Sequence, residues 1–229
     1  MKKKVLFALL MAGCLTAGAQ TAETKVKLSD STQLVYAEAG NGNKEGVYYV
    51  KNTKKDAVLM QGNYKNNNRI GTWYFFDANN KLTMRYNYDQ KKLVYLDESA
   101  LKNVAVDIES DDPEVKKSAS APLPLCPIDL YTSYIIKKLY AAGNGENSEL
   151  DAEITAHIST DGTATYTVSY IGTNNKKVVN QKLSVPNDKF EIEWIPSKYK
   201  NQPVDSKFIV YTSVKTNDTK TFRRNSWNN

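Results

Sequence analysis

The stretch that decides the fold is residues 69–82, RIGTWYFFDANNKL. Gly71 precedes four consecutive aromatics, Trp73, Tyr74, Phe75 and Phe76, and the run stops in a polar cluster containing Asp77, Asn79 and Asn80. An apolar run closed by turn residues is the signature of a strand entering a hairpin. Strand alternation then puts Trp73 and Phe75 on one face and Tyr74 and Phe76 on the other.

The same pattern occurs once before it. Residues 46–50 (GVYYV) align with 71–75 (GTWYF), and 57–64 (AVLMQGNY) align with 81–88 (KLTMRYNY), at offsets of 25 and 24 residues. Each copy reads strand, polar turn, strand, which is a hairpin repeat. Leu82, Met84, Tyr86 and Tyr88 share one side of the return strand, with Lys81, Thr83, Arg85 and Asn87 on the other. One face is therefore expected to be core, joined by Tyr48, Trp73 and Phe75, and one wet. Tyr74 and Phe76 are the candidates for an exposed aromatic surface. Gly71, without a Cβ, permits an unusual backbone angle where one hairpin hands over to the next.

The G-x-W/Y-x-F/Y start, the D-x-N-N-K-L turn and the Y-x-Y return resemble MORN-type repeats over residues 45–98, in particular the variant of bacterial antitoxin-like and envelope proteins. The resemblance implies an antiparallel hairpin-repeat sheet. The glycine usual in the turn is Asn80 here, and asparagine also tolerates positive φ. Upstream, residues 24–38 carry Val26, Leu28, Leu34, Val35 and Tyr36 and read as one or two entry strands.

Between about residues 107 and 127 the composition shifts. An acidic patch (Asp107, Glu109, Asp111, Asp112) gives way to KKSASAPLPLCP, with three prolines in six residues at its end. Such a segment favours extended backbone and reads as an interdomain linker. Beyond it, DLYTSYIIKKLY (129–140) places Leu130, Tyr134, Ile135 and Leu139 on an apolar stripe and predicts a short helix. Residues 150–160 and 163–171 alternate on either side of Asp161-Gly162 and predict a hairpin. FEIEWIP and a closing strand through Phe208, Val210 and Thr212 follow.

That order resembles the C-terminal domain of TonB over residues 129–214, with Asp161 and Gly162 in the turn, then Trp194 and Pro196, then Pro203 and Val204 before the closing strand. The resemblance implies a small α+β domain that receives a partner's extended peptide as an added strand. It makes the closing strand the candidate partner-binding edge: Ser206, Lys207, Phe208, Ile209, Val210, Tyr211, Thr212, Ser213 and Val214. The chain departs from the family at Tyr140-Ala141, which stands in place of Tyr-Pro, and at Asn201 in place of glycine. Pro186 also interrupts the stretch where a second helix would run. Energy transduction is not carried over, since it needs a permanent membrane helix and a long spacer.

Of the 229 residues, 41% are hydrophobic and 24% charged, an ordinary globular composition. Lys2, Lys3 and Lys4, an apolar run over residues 5–16 and Ala17-Gly18-Ala19 read as a secretory leader cleaved before Gln20. Counted through to residue 19, the apolar run spans fifteen residues, fewer than the roughly 20 a spanning helix needs. LMAGC ending at Cys14 approximates a lipobox and is the alternative, acylated start. Without the leader, 28 basic residues face 25 acidic ones, a net of +3 that argues against nucleic-acid binding. Cys126 is then the one remaining cysteine, which excludes an intramolecular disulfide.

Candidate chemistry is sparse. The only histidine, His157, alternates with Ile154, Ala156 and Ile158 and is expected on a wet strand face. Cys126, between Leu125 and Pro127, is expected in the linker, where nothing lowers its pKa. The acidic run lacks the glycine and oxygen-ligand spacing of a calcium loop. No catalytic residue, metal or cofactor is expected.

The reading is an α+β protein, mainly antiparallel β. It comprises a signal peptide (1–19), a MORN-like repeat sheet (20–106), a Pro-containing linker (107–128), a TonB C-terminal-like α+β domain (129–215) and a polar tail (216–229). The expected function is non-enzymatic binding of another envelope protein or peptide through the edge strand; the alternatives are a glycan-binding module that uses the exposed aromatics of the repeat sheet, and a hydrolase. The expected location lies beyond the inner membrane, in the periplasm or at the outer membrane.

Overall fold

The computed structural model describes residues 22–140, 149–171, 177–183 and 190–215. The leader with Cys14, the Gly143-Asn144-Gly145 turn, Pro186 and the polar tail lie outside the described residues, as does the side chain of Leu139. No helix among the described residues is long and apolar enough to cross a membrane.

Strands β1 (Ala22–Lys27), β2 (Thr32–Glu38), β3 (Lys44–Asn52), β4 (Ala57–Lys65), β5 (Asn68–Phe76), β6 (Leu82–Asn87) and β7 (Lys92–Leu96) are neighbours in chain order. Among the described residues they form one seven-stranded antiparallel meander. The repeat is visible in the backbone as well as the sequence. Equivalent residues Gly46 and Gly71 have φ of +79° and +64°, and the turn-closing pair Asp56 and Asn80 have +48° and +62°. Aspartate and asparagine bear this left-handed conformation better than most residues. Asp77 Oδ1 accepts from the Asn79 and Lys81 amides at 2.8 and 2.9 Å, which ties the 77–80 turn. Asn66 and Asn67, at φ +50° and +65°, close the β4–β5 hairpin in the sense that matches strand twist.

The inner face of this sheet is an aromatic ladder. Ring centroids run from Tyr36 to Tyr48 at 6.1 Å, Tyr48 to Tyr64 at 5.0 Å, Tyr64 to Trp73 at 5.4 Å and Trp73 to Tyr88 at 5.5 Å. Trp73 lies directly over Gly62, where a Cβ would come within 2.2 Å of the indole. The repeat places glycine at 62 where its second copy has Tyr86 because the tryptophan ring fills that space.

The rest of the chain contributes β8 (Val104–Ile108), α1 (Pro113–Ser118), β9 (Leu123–Pro124), α2 (Ile128–Tyr140), β10 (Glu149–Ile158), β11 (Ala164–Ile171), β12 (Lys177–Leu183), β13 (Trp194–Ile195), β14 (Ser197–Tyr199), β15 (Gln202–Val204) and β16 (Ser206–Lys215). A second antiparallel sheet has the order β12-β11-β10-β16-β8. Helix α2 buries Leu130, Tyr134 and Ile135 as its spacing predicts, and Tyr131 and Ile136 as well. The Asp161-Gly162 hairpin forms with Gly162 at φ +85°. Lys200 and Asn201, at +48° and +66°, close β14–β15, so asparagine supplies the positive φ that glycine would.

The segment 107–128 is not a free linker. Residues 107 and 108 complete β8, and the Glu109, Ser120 and Leu125 amides donate to the carbonyls of Asp205, Lys198 and Glu193 at 2.8–2.9 Å. Its prolines have structural places. Pro113 opens α1 behind an Asp112 cap, Pro124 sits in the two-residue β9–β13 ladder, and the Pro127 carbonyl accepts from the Tyr131 amide in the first turn of α2. Cys126, expected in a linker, is buried in the core, and burial pushes its thiol pKa up. One apolar cluster contains residues of the seven-stranded sheet, α2 and the second sheet together.

Candidate functional site

The closing strand is the first candidate. In β16, Ser206, Phe208 and Val210 are buried, and Lys207, Ile209 and Thr212 are half-buried. One edge of β16 pairs with β10 along its length. The other is covered over Ser206–Val210 by β8, from Ser206↔Ile108 to Val210↔Val104. Lys207 Nζ reinforces this junction from 3.2 Å to Asp107 and 2.7 Å to Glu109. The expected open edge is thus filled by the chain itself over its first five residues. Only Tyr211, Thr212, Ser213, Val214 and Lys215 extend beyond β8, and Tyr211 is 40% exposed.

The second candidate is the outer face of the seven-stranded sheet. Registers there align one residue from each strand into a single row: Lys25, Val35, Tyr49, Gln61, Tyr74, Arg85 and Tyr95. Val35 is buried, so the open part of the row begins at β3: Tyr74 and Tyr95 are 37% and 38% exposed, Gln61 is exposed, and Tyr49 and Arg85 are half-buried. Tyr74 stands where alternation predicts. Phe76 is half-buried, because the ladder slips between Phe75 and Phe76 at the end of β5. Alternation places Arg85 on the wet face without marking it as a candidate, and sequence reasoning does not single out Tyr49 or Tyr95. The repeat held the signal for Tyr49, which is equivalent to Tyr74.

Arg69, on the inner face, is the most heavily bonded side chain of the sheet. Its Nε lies 3.0 Å from Tyr64 Oη and 2.9 Å from Glu193 Oε1. One terminal nitrogen donates to Tyr88 Oη at 2.7 Å and the other to the Glu191 carbonyl at 3.0 Å. The guanidinium also stacks 4.5 Å from the Trp73 ring centroid. Burial alone would lower its pKa, but the phenol oxygens of Tyr88 and Tyr64 and the Glu193 carboxylate overcome that effect and raise it. This arginine bolts the repeat sheet to the 190–194 segment. Each of its three nitrogens has an acceptor, so the arrangement is structural.

A cavity of about 140 Å³ is lined by Lys81, Met84, Leu96, Asp97, Leu123 and Ile128, among others. Hydrogen bonds from Lys81 and Ser99 hold the Asp97 carboxyl down at about 2. A shallower hollow of about 310 Å³ lies over Asp107, Glu109 and Lys207. Among the described residues no group of three or more His, Cys, Asp and Glu side chains is gathered to hold a metal.

The remaining sequence candidates have plain surroundings. His157 is half-buried on the face opposite Ile154, Ala156 and Ile158, with Nε2 3.3 Å from Thr167 Oγ1. Trp194 Nε1 donates to Tyr166 Oη at 3.0 Å inside a cluster with Tyr131 and Phe208. Burial pushes the Tyr166 phenol up to about 12. Asp161 accepts from the Thr163 amide and hydroxyl, which lowers its pKa, while Pro203 is exposed and Val204 half-buried. Pro196 lies beside the hairpin turn, its Cδ 3.9 Å from where a Cβ on Gly162 would stand.

The fold and its surfaces define a β-rich α+β protein, mainly antiparallel, built on a seven-stranded meander. No protein family, characterised protein or solved structure matches the chain.

Proposed function

We propose that the protein is a non-enzymatic binding protein of the bacterial envelope, built from a MORN-like repeat sheet and a TonB C-terminal-like module. Its main recognition surface is the outer face of the repeat sheet. The observation that carries this reading is the cross-strand row Tyr49, Gln61, Tyr74, Arg85 and Tyr95, which sets aromatic rings and hydrogen-bonding groups alternately on an open sheet face. Among the described residues the better-enclosed cavity holds about 140 Å³, and the more open hollow over Lys207 about 310 Å³, near the lower limit of small-molecule sites. The recurring positive-φ positions support the repeat assignment. The Asp161-Gly162 turn and the core placement of Trp194 support the second. The leader supports secretion to the periplasm or outer membrane, with acylation at Cys14 as the alternative anchor.

A second reading is strand addition by an envelope protein or peptide. It is favoured by the five residues of β16 that run past β8, where, among the described residues, no strand pairs the second edge and a partner's strand could be received. One experiment separates the two. Wild-type protein, a Tyr49→Ala/Tyr74→Ala/Tyr95→Ala variant and Tyr211→Pro are immobilised, exposed to an envelope fraction, and assayed separately for retained carbohydrate and protein. The face reading expects carbohydrate retention by wild type that the triple variant loses. Retention that only Tyr211→Pro abolishes would move the site to the edge and overturn the face reading.

A further inference from the structure

Resting on the reading of the outer face as the binding surface, we infer that its ligand is an acidic polysaccharide, with a sugar carboxylate seated on Arg85. Arg85 stands next to the end of the row, on β6, between its cross-strand neighbours Tyr74 on β5 and Tyr95 on the edge strand β7. Its guanidinium lies 5.7 Å from the Tyr95 ring centroid, and its Nε is buried with no hydrogen-bond partner. Among the described residues no carboxylate lies within ion-pair distance of it. Because Nε is closed to solvent, a carboxylate would meet the half-buried guanidinium end-on, at its two terminal nitrogens, a bidentate geometry that suits the planar fork.

The same sheet supplies the contrast. Arg69, on the inner face, has its donors matched by two tyrosines, a carbonyl and Glu193. Arg85, on the outer face, is flanked by rings and has no acceptor at Nε. Register places Lys65 and Lys92 on that face, while Glu45 at the start of β3 is engaged by the Asn66 amide at 2.8 Å.

Ring spacing argues for a polysaccharide over a polypeptide. Tyr49, Tyr74 and Tyr95 stand two strands apart, roughly 10 Å each. Between them Gln61 and Arg85 offer polar groups. Sugars present apolar ring faces alternating with hydroxyl and carboxylate edges, which such a row can meet in turn. An acidic peptide would leave its backbone donors and acceptors unpaired on a sheet face, whereas an edge would satisfy them.

The test is native affinity electrophoresis of the chain from Gln20 through gels containing alginate as the uronate polymer, hydroxyethyl cellulose as a neutral one, or poly-L-glutamate as an acidic polypeptide. Retardation by alginate alone is expected. It should weaken by about tenfold or more in Arg85→Gln and in Tyr74→Ala, since a hydrogen bond to a charged group and a stacked ring are each of that order. Arg85→Lys should restore little of it. Circular dichroism and unchanged melting temperatures would establish that the variants are folded. Retardation by poly-L-glutamate equal to that by alginate would overturn the inference in favour of unspecific charge. Retardation by hydroxyethyl cellulose that is lost in Tyr74→Ala but kept in Arg85→Gln would overturn it while leaving the outer-face reading intact. Absence of alginate binding would also overturn it.

Discussion

Replacing Gly62 by alanine should be among the most damaging single-methyl changes in the protein. An ideal Cβ at this position would stand 2.2 Å from Cδ2 and Cε2 of Trp73 and 2.4 Å from its Nε1. Ordinary contact needs about 3.5 Å, so the indole would have to move by more than about 1 Å. It has no room to do so. Trp73 is fully buried, with Tyr48 at 5.3 Å, Tyr64 at 5.4 Å, Tyr88 at 5.5 Å and the Arg69 guanidinium at 4.5 Å. Overpacking typically costs about 1–3 kcal/mol, and disturbing aromatic pairs adds about 0.5–1.5 kcal/mol each. Relief of strand-glycine entropy returns only about 0.5–1 kcal/mol. The net expectation is a loss of about 2–4 kcal/mol, a large part of the roughly 5–15 kcal/mol that holds a domain folded. Urea denaturation followed by far-UV circular dichroism measures it, with Gly40→Ala as the control, since nothing lies within 4 Å of that Cβ. In a Trp73→Phe background the cost should shrink by at least about 1 kcal/mol, because the smaller ring frees the space. A Gly62→Ala protein within about 0.5 kcal/mol of wild type, or an equal loss in both backgrounds, would refute the packing argument.

The other expectations follow from named contacts. Arg69→Met should cost about 3 kcal/mol or more in the same denaturation assay, because it strands two phenols and the Glu193 carboxylate; Glu193→Gln should cost less, its side chain being 35% exposed. Asp97 is held near 2 by Lys81 and Ser99, so its contribution is complete above about pH 4, the unfolded-state value. It is lost as pH falls from about 4 to about 2, and the difference in stability between wild type and Asp97→Asn should close over that window in acid denaturation series. Cys126, at 2% exposure, should react with a thiol reagent in the chain from Gln20 only at the rate of unfolding. Limited proteolysis should spare residues 109–127, whose amides are tied at Glu109, Ser120 and Leu125.

Much of the architecture could be read from local pattern. The two hairpins, the core side of Trp73 and Phe75, the exposure of Tyr74 and the helix at 129–140 all follow from periodicity and turn residues within a few positions. What was not legible depends on partners far along the chain. β8 is five residues long, runs into the acidic patch and acquires its meaning from β16, with Asp107 bonded to Lys207 one hundred residues away. Arg69 reads as a polar residue at the start of a strand, because the Glu191 carbonyl that helps bury it lies 122 residues later. The prolines of 113–127 look like linker punctuation until the helix starts and the short ladder they occupy are placed. The outer row needed registers across β3–β7, which alternation within one strand does not supply.

Ligand is proposed to meet the outer face of the seven-stranded sheet. Amide chemical-shift mapping of the isotopically labelled chain, titrated with uronate oligosaccharides, tests it most directly. The account expects saturable shifts concentrated at Tyr49, Gln61, Tyr74, Arg85 and Tyr95 and their cross-strand neighbours. Shifts confined to Tyr211–Val214 of β16, or gathered around the Lys81–Asp97 cavity with the row unmoved, would contradict it.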